Sequence, residues 1–240
     1  MAINRNGDII VAESGRSCAT VFSSEGEKLR SFSSRRFGHQ IPTGVAVDND
    51  GNILVTDSHN DCIQKFTMTR EVIAVGVESC SNPIGIAIHP HNKNVYVVDN
   101  NNHRIQVLNP DLTFSHYFRG NVHHPWGIAF GNVYIVENSS NRIRVFTVEG
   151  ELLRQFGKKG KGDGELQNPN LICIDSNNVL YVTEWGNHRI SMFTCEGKLI
   201  SSFGTKGSGP GQFNQPRGIA VDKNGVVYVS DSRNNRLQLF

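Results

Sequence analysis

Apolar and polar positions alternate in short runs along this 240-residue chain, as in Ile105-Gln106-Val107-Leu108 and Ile143-Arg144-Val145-Phe146. A period of two marks half-buried strands, and no stretch carries a helical period. The runs come in groups of four. In the second group Val45–Val47 is followed by an Asp-Asn-Asp-Gly-Asn turn and Ile53–Thr56. A loop at Ser58–Asp61 then precedes Cys62–Phe66, and a turn at Met68–Glu71 precedes Val72–Val75. Gly, Asn and Asp punctuate the runs because they tolerate the positive φ that tight turns need.

The groups repeat. Near-identical phrases begin at Pro42, Pro83, Pro125, Pro169 and Pro216, 41 to 47 residues apart, and a truncated copy opens the chain at Met1. A period in the forties predicts a repeat architecture, with units near 1–40, 41–81, 82–123, 124–167, 168–214 and 215–240. No unit can bury its apolar face alone, so residues 1–240 read as a single domain. Four antiparallel strands per unit, set around an axis, make an all-β six-bladed β-propeller. The small residues of each first run, such as Gly44, Ala46, Gly127 and Ala129, place it innermost. The last unit stops at Phe240 after its third run, so the last blade lacks its outer strand. The circular scheme expects residues upstream of Met1 to supply it.

The recurring phrase P-x-G-I-A-V-D-x-x-G-x-[IV]-[YL]-V-x-[DE], with R-[IL]-x-[VL]-F after about four polar residues, resembles the NHL repeat. Its strongest carriers are Asn102-His103-Arg104-Ile105, Asn187-His188-Arg189-Ile190 and Asn234-Asn235-Arg236-Leu237. The likeness extends over the whole chain and is similar to the C-terminal propellers of tripartite-motif ubiquitin ligases. It implies a cytoplasmic target-binding module, with any ligase chemistry in domains outside this chain. Two units depart from the pattern with Cys18 and Cys62 in place of arginine, and Leu171 replaces a glycine.

Four units set an acid five residues before an arginine: Asp99/Arg104, Glu137/Arg142, Glu184/Arg189 and Asp231/Arg236. Recurrence around a ring predicts a structural ion pair rather than a catalytic one. Other charges sort by face. Loops between second and third strands, and those between blades, form a top face with ten basic residues against four acids, whereas the opposite turns are acidic. Because the chain as a whole carries only +2, this asymmetry is the telling charge feature.

Candidate binding residues on the top are Lys158, Lys159, Arg35, Arg36, Arg233 and His188, with Trp185 beside them. Trp126, Asn170 and Arg217 follow repeat-opening prolines and join the set. Basic groups beside exposed aromatics suit a protein target, or single-stranded RNA held by stacking. Tryptophans that merely cover neighbouring blades fit the same pattern.

No catalytic residue, metal or small-molecule cofactor is expected. A lyase propeller resembling this family holds zinc with histidine directly after such a proline. Here Thr43, Ile84, Trp126, Asn170 and Arg217 occupy those positions and offer no metal-binding set. Five cysteines cannot complete a disulfide framework and read as reduced packing residues of a cytoplasmic protein. No apolar run approaches the roughly 18 residues of a membrane helix, so no membrane partner is expected.

Overall fold

The structure, a computed structural model, describes residues 1–33, 40–76 and 79–240. It is all-β, with six antiparallel sheets that form the blades of a six-bladed β-propeller. Blades 1 to 5 have four strands each, and blade 6 has three, Pro216–Val221, Val227–Asp231 and Arg236–Leu239. The chain divides into two compact units, Met1–Phe118 with blades 1 to 3 and Arg119–Phe240 with blades 4 to 6.

Within a blade, consecutive strands pair as a meander. In blade 5 the second strand, Leu180–Glu184, pairs with the third, Arg189–Phe193, in unbroken register from Leu180/Phe193 to Glu184/Arg189. The turns between first and second strands use aspartate as a backbone mimic. Asp175 Oδ1 accepts the amides of Asn177 and Val179 at 2.9 and 2.8 Å, and Asp222 does the same for Asn224 and Val226. Blade 3 substitutes a ring nitrogen: His89 Nδ1 accepts the amides of His91 and Asn92 at 3.3 Å each.

The first strand begins at the repeat proline itself, two or three residues earlier than the alternation suggested, as in Pro42–Val47 and Pro169–Ile174. A β-bulge follows at once. Pro169 pairs with Glu184 and the next pair is Ile172 with Val182, so Asn170 and Leu171 together face Thr183. The same slip sets Trp126-Gly127 against Val136 and Arg217-Gly218 against Ser230. A bulge frees an amide from the ladder, and a hydroxyl opposite takes it. Leu171 N donates to Thr183 Oγ1 at 3.0 Å, and Gly218 N to Ser230 Oγ at 2.6 Å.

The core lies between blades. In Arg119–Phe240 one apolar cluster joins blades 4 and 5 through Tyr134, Val136, Ile172, Leu180 and Val182, and a second joins blades 5 and 6 around Ile190, Phe213 and Val229. Leu171 packs into the second cluster, so its replacement of the usual glycine is filled by contact with blade 6. At Gly127 no such room exists, because a Cβ there would come within 2.7 Å of Asn170 O.

Candidate functional site

Every blade places a left-handed residue directly before its third strand: Ser17, Asp61, His103, Asn141, His188 and Asn235, with φ from 51 to 55°. Asn, Asp and His are the non-glycine residues that enter this region most readily, which explains their recurrence there. In blade 5 the three residues Asn187-His188-Arg189 each close part of one network. Asn187 Nδ2 donates to Glu184 Oε2 at 2.5 Å and to Gly160 O at 2.9 Å. His188 turns the chain, and its Nδ1 accepts Gln215 N at 3.1 Å. Arg189 binds Glu184 and the carbonyls of Lys161, Gly162 and Glu165.

The four acid–arginine pairs are therefore structural. Arg104–Asp99, Arg142–Glu137, Arg189–Glu184 and Arg236–Asp231 lie at 2.6 to 2.9 Å, and all four carboxylates are fully buried. Arg236 repeats the grip of Arg189 on the next linker, through the carbonyls of Ser208, Gly209 and Gln212. In blade 2, where Cys62 replaces the arginine, Asp57 keeps the linker amide of Ile41 and accepts the amides of His59 and Asn60 as well. The Cys62 thiol beside it is buried, and desolvation first, then Asp57, push its pKa up to about 11. Burial likewise raises Cys80 and Cys173 to about 12, so these thiols pack rather than react.

The top candidates divide sharply. Arg35 and Arg36 lie outside the described residues. Lys158 is exposed but pairs with Glu165 at 3.3 Å. Glu165 is held below the usual carboxylate range by the Gly162 amide and then by Lys158. Lys159 is exposed, its residue bridging to Leu166 through the backbone. Burial, then Lys206, lowers the pKa of His188, while Asp231 opposes them. With its Nδ1 accepting an amide, His188 is a built-in neutral ring rather than a free cation. Trp185 is half-buried, its backbone amide donating to Asn168 O at 3.1 Å.

Three candidates come together on adjacent bulges of blades 4, 5 and 6. Trp126 is half-buried, Asn170 buried and Arg217 exposed. Thr183 Oγ1, which accepts Leu171 N, donates to Arg217 O at 2.8 Å, so one hydroxyl ties two bulges. Asn138 Nδ2 donates to Pro169 O at 2.9 Å and reaches Asn170 Oδ1 at 3.4 Å. Among the described residues, Asn170 Nδ2 is buried without a hydrogen-bond partner. Desolvation, then the charge of Arg233, holds the Arg217 guanidinium below the ordinary arginine value. Arg233 Nε donates to Gln215 Oε1 at 2.9 Å.

Thr183 and Asn138 were missed by sequence reasoning. The signal was the hydroxyl residue before the repeat acid, in Thr56-Asp57, Thr183-Glu184 and Ser230-Asp231.

Residues 40–66, 81–108, 166–193 and 213–240 match the NHL repeat family. The chain carries NHL repeats. No curated protein matches it in sequence. Among solved structures, selenomethionine-substituted virginiamycin B lyase from Staphylococcus aureus is similar with a TM-score of 0.72 at 16% identity, over 99% of this chain and 82% of that one. A streptogramin B lyase is similar with a TM-score of 0.73 at 20% identity, over 98% and 76%. A chain of a nidogen/laminin complex gives 0.68 at 21% identity, over 84% and 77%. At such identities the likeness extends to the fold of this NHL-repeat chain and no further.

Proposed function

We propose that the protein is a non-catalytic recognition module that holds a protein target on the top of Arg119–Phe240. One observation carries this reading. The repeat arginines of that unit, Arg142, Arg189 and Arg236, are all bound to buried acids, whereas Arg217 is exposed on its bulge and forms no ion pair among the described residues. A guanidinium left uncommitted next to a second arginine is disposed to receive an acceptor from outside.

The NHL repeats also support a setting like that of the tripartite-motif ubiquitin ligases, in which this module would select the target and other domains would modify it. Against a lyase-type activity stands the chemistry of the bulge positions, where Trp126, Asn170 and Arg217 supply neither a general base nor a general acid suited to neutral pH. Five free cysteines suit a reducing, cytoplasmic compartment. The test is affinity capture from cytoplasmic extract with matched charge reversals. Arg217→Glu is expected to release bound proteins that Lys223→Glu, on the opposite turns, retains. Equal retention by both variants would place the binding surface elsewhere.

A further inference from the structure

We infer that the bulges of blades 4 to 6 form a seat for one carboxylate, the Asp or Glu side chain of an extended peptide, with Arg217 as its primary ligand. The inference rests on the reading of this face as a recognition surface and names the group it recognises.

Two independent deficits lie on neighbouring bulges, and both call for the same chemical group. The first is charge. Arg217 is exposed on its bulge and forms no ion pair with an acid among the described residues, and desolvation first, then the charge of Arg233, holds its guanidinium below the ordinary arginine value. The nearest repeat acid is committed, since Asp231 is fully buried and accepts from Asn214 N at 2.6 Å, Asn234 Nδ2 at 2.8 Å and Arg236 Nε at 2.9 Å. The second deficit is an acceptor. Asn170 is 3% exposed, and its Nδ2 has no hydrogen-bond partner among the described residues. A buried donor left unpaired costs free energy that a ligand oxygen recovers. Thr183 Oγ1 fastens these two bulges together by bonding Leu171 N and Arg217 O.

Geometry and surroundings favour a carboxylate over a phosphate chain. A planar guanidinium fork matches a planar carboxylate. Trp126, half-buried on the bulge of the preceding blade, offers an apolar ring suited to the methylene stem of Asp or Glu. A nucleic-acid backbone needs a row of free cations, but Lys158 is paired with Glu165 and His188 is occupied by Gln215 N.

The probe is the dipeptide N-acetyl-Phe-Glu-amide, titrated against its Gln isostere and inorganic phosphate. The readout is chemical shift at the Asn170 side-chain amide, the Arg217 Nε–H and the Trp126 indole N–H. The Glu peptide is expected to move all three signals and to bind about tenfold or more tightly than the Gln peptide, as a charge-assisted bond to arginine requires. Arg217→Gln, an exposed change that leaves the core intact, is expected to abolish the shifts, and Arg217→Lys to weaken them.

Asn170→Asp places a carboxylate inside the site, and is expected to block the peptide. Equal affinity for the Glu and Gln peptides, undiminished peptide binding by Asn170→Asp, or tighter binding of phosphate than of the Glu peptide would each overturn the inference. Shifts confined to Trp185 and Lys159 would overturn the carboxylate seat and leave the recognition surface standing. No shift anywhere on this face, together with protein capture indifferent to Arg217→Glu, would remove both.

Discussion

Arg189 Nε donates to Glu184 Oε1 at 2.8 Å across the register pair that ends the second strand of blade 5 and begins the third. The carboxylate is fully buried, and it also accepts from Gln167 N and Ser191 Oγ. The guanidinium continues outward to three carbonyls of the linker that enters the blade. One side chain therefore joins two strands and holds a linker.

Arg189→Ala is expected to lower unfolding free energy by about 1–3 kcal/mol, because it strips a buried carboxylate of its cation and frees three carbonyls at once. Urea unfolding followed by fluorescence measures this. The top face should still bind in the fraction that remains folded. Wild-type unfolding combined with lost binding would make Arg189 a ligand rather than a clamp.

These pairs were legible in the sequence because they recur at a fixed interval, and only a structural role repeats around a ring. The strands were legible for the same reason. The bulge was not, since Pro-x-Gly reads as the approach to a strand. Only the partner register, Pro169 to Glu184 and then Ile172 to Val182, reveals an extra residue. The candidate site inherited that blindness. Lys158 and His188 looked like free cations in the sequence, but a neighbouring acid and a neighbouring amide claim them. Such neighbours arrive from seven residues along the linker and from the next blade, beyond any local pattern.

The bulge also explains a glycine. At Gly127 a Cβ would stand 2.7 Å from Asn170 O and 2.9 Å from Leu171 Cα, both backbone atoms that cannot step aside. Gly127→Ala is expected to cost about 1–3 kcal/mol of stability through forced separation of blades 4 and 5. The same substitution at Gly164, where nothing lies within 4 Å but φ is +71°, tests strain without a clash. A larger loss at Gly164 than at Gly127 would show that backbone conformation, rather than blade contact, sets the penalty.

His89 makes one turn sensitive to pH. Burial first, then His91 and Lys93, lowers its pKa below the usual histidine value, and its Nδ1 must stay unprotonated to accept two amides. A histidine whose folded pKa is depressed stabilises fully above its unfolded value, near 6.5, and loses that contribution as pH falls through the window below. Melting temperature is therefore expected to fall between pH 7.5 and 5.5. His89→Asn, which keeps an acceptor and removes the titration, should flatten that slope without abolishing it, because His188 is depressed as well. A slope unchanged in His89→Asn would assign the pH dependence to other groups.

Salt separates the protein reading of the top face from an RNA reading. Trp126 and Trp185 are both half-buried, and half-exposed rings near cations are what single-stranded bases stack upon. An RNA site would have to recruit Lys158 away from Glu165 and use Lys159, Arg217 and Arg233 together. Affinity for random single-stranded RNA would then fall by roughly 0.7 log units per log of salt for each phosphate neutralised, and Trp126→Ala would cost about 1–3 kcal/mol. A single carboxylate on Arg217 gives a shallow slope instead, governed by one charge pair. Binding measured at 50 and 200 mM salt, two conditions chosen to span a wide range of screening, decides between them. The pairing of Lys158 with Glu165 leads us to expect weak RNA binding that Lys158→Ala leaves nearly unchanged. A steep slope that Lys158→Ala reduces would show that the ion pair opens for phosphate, and the face would then belong to RNA.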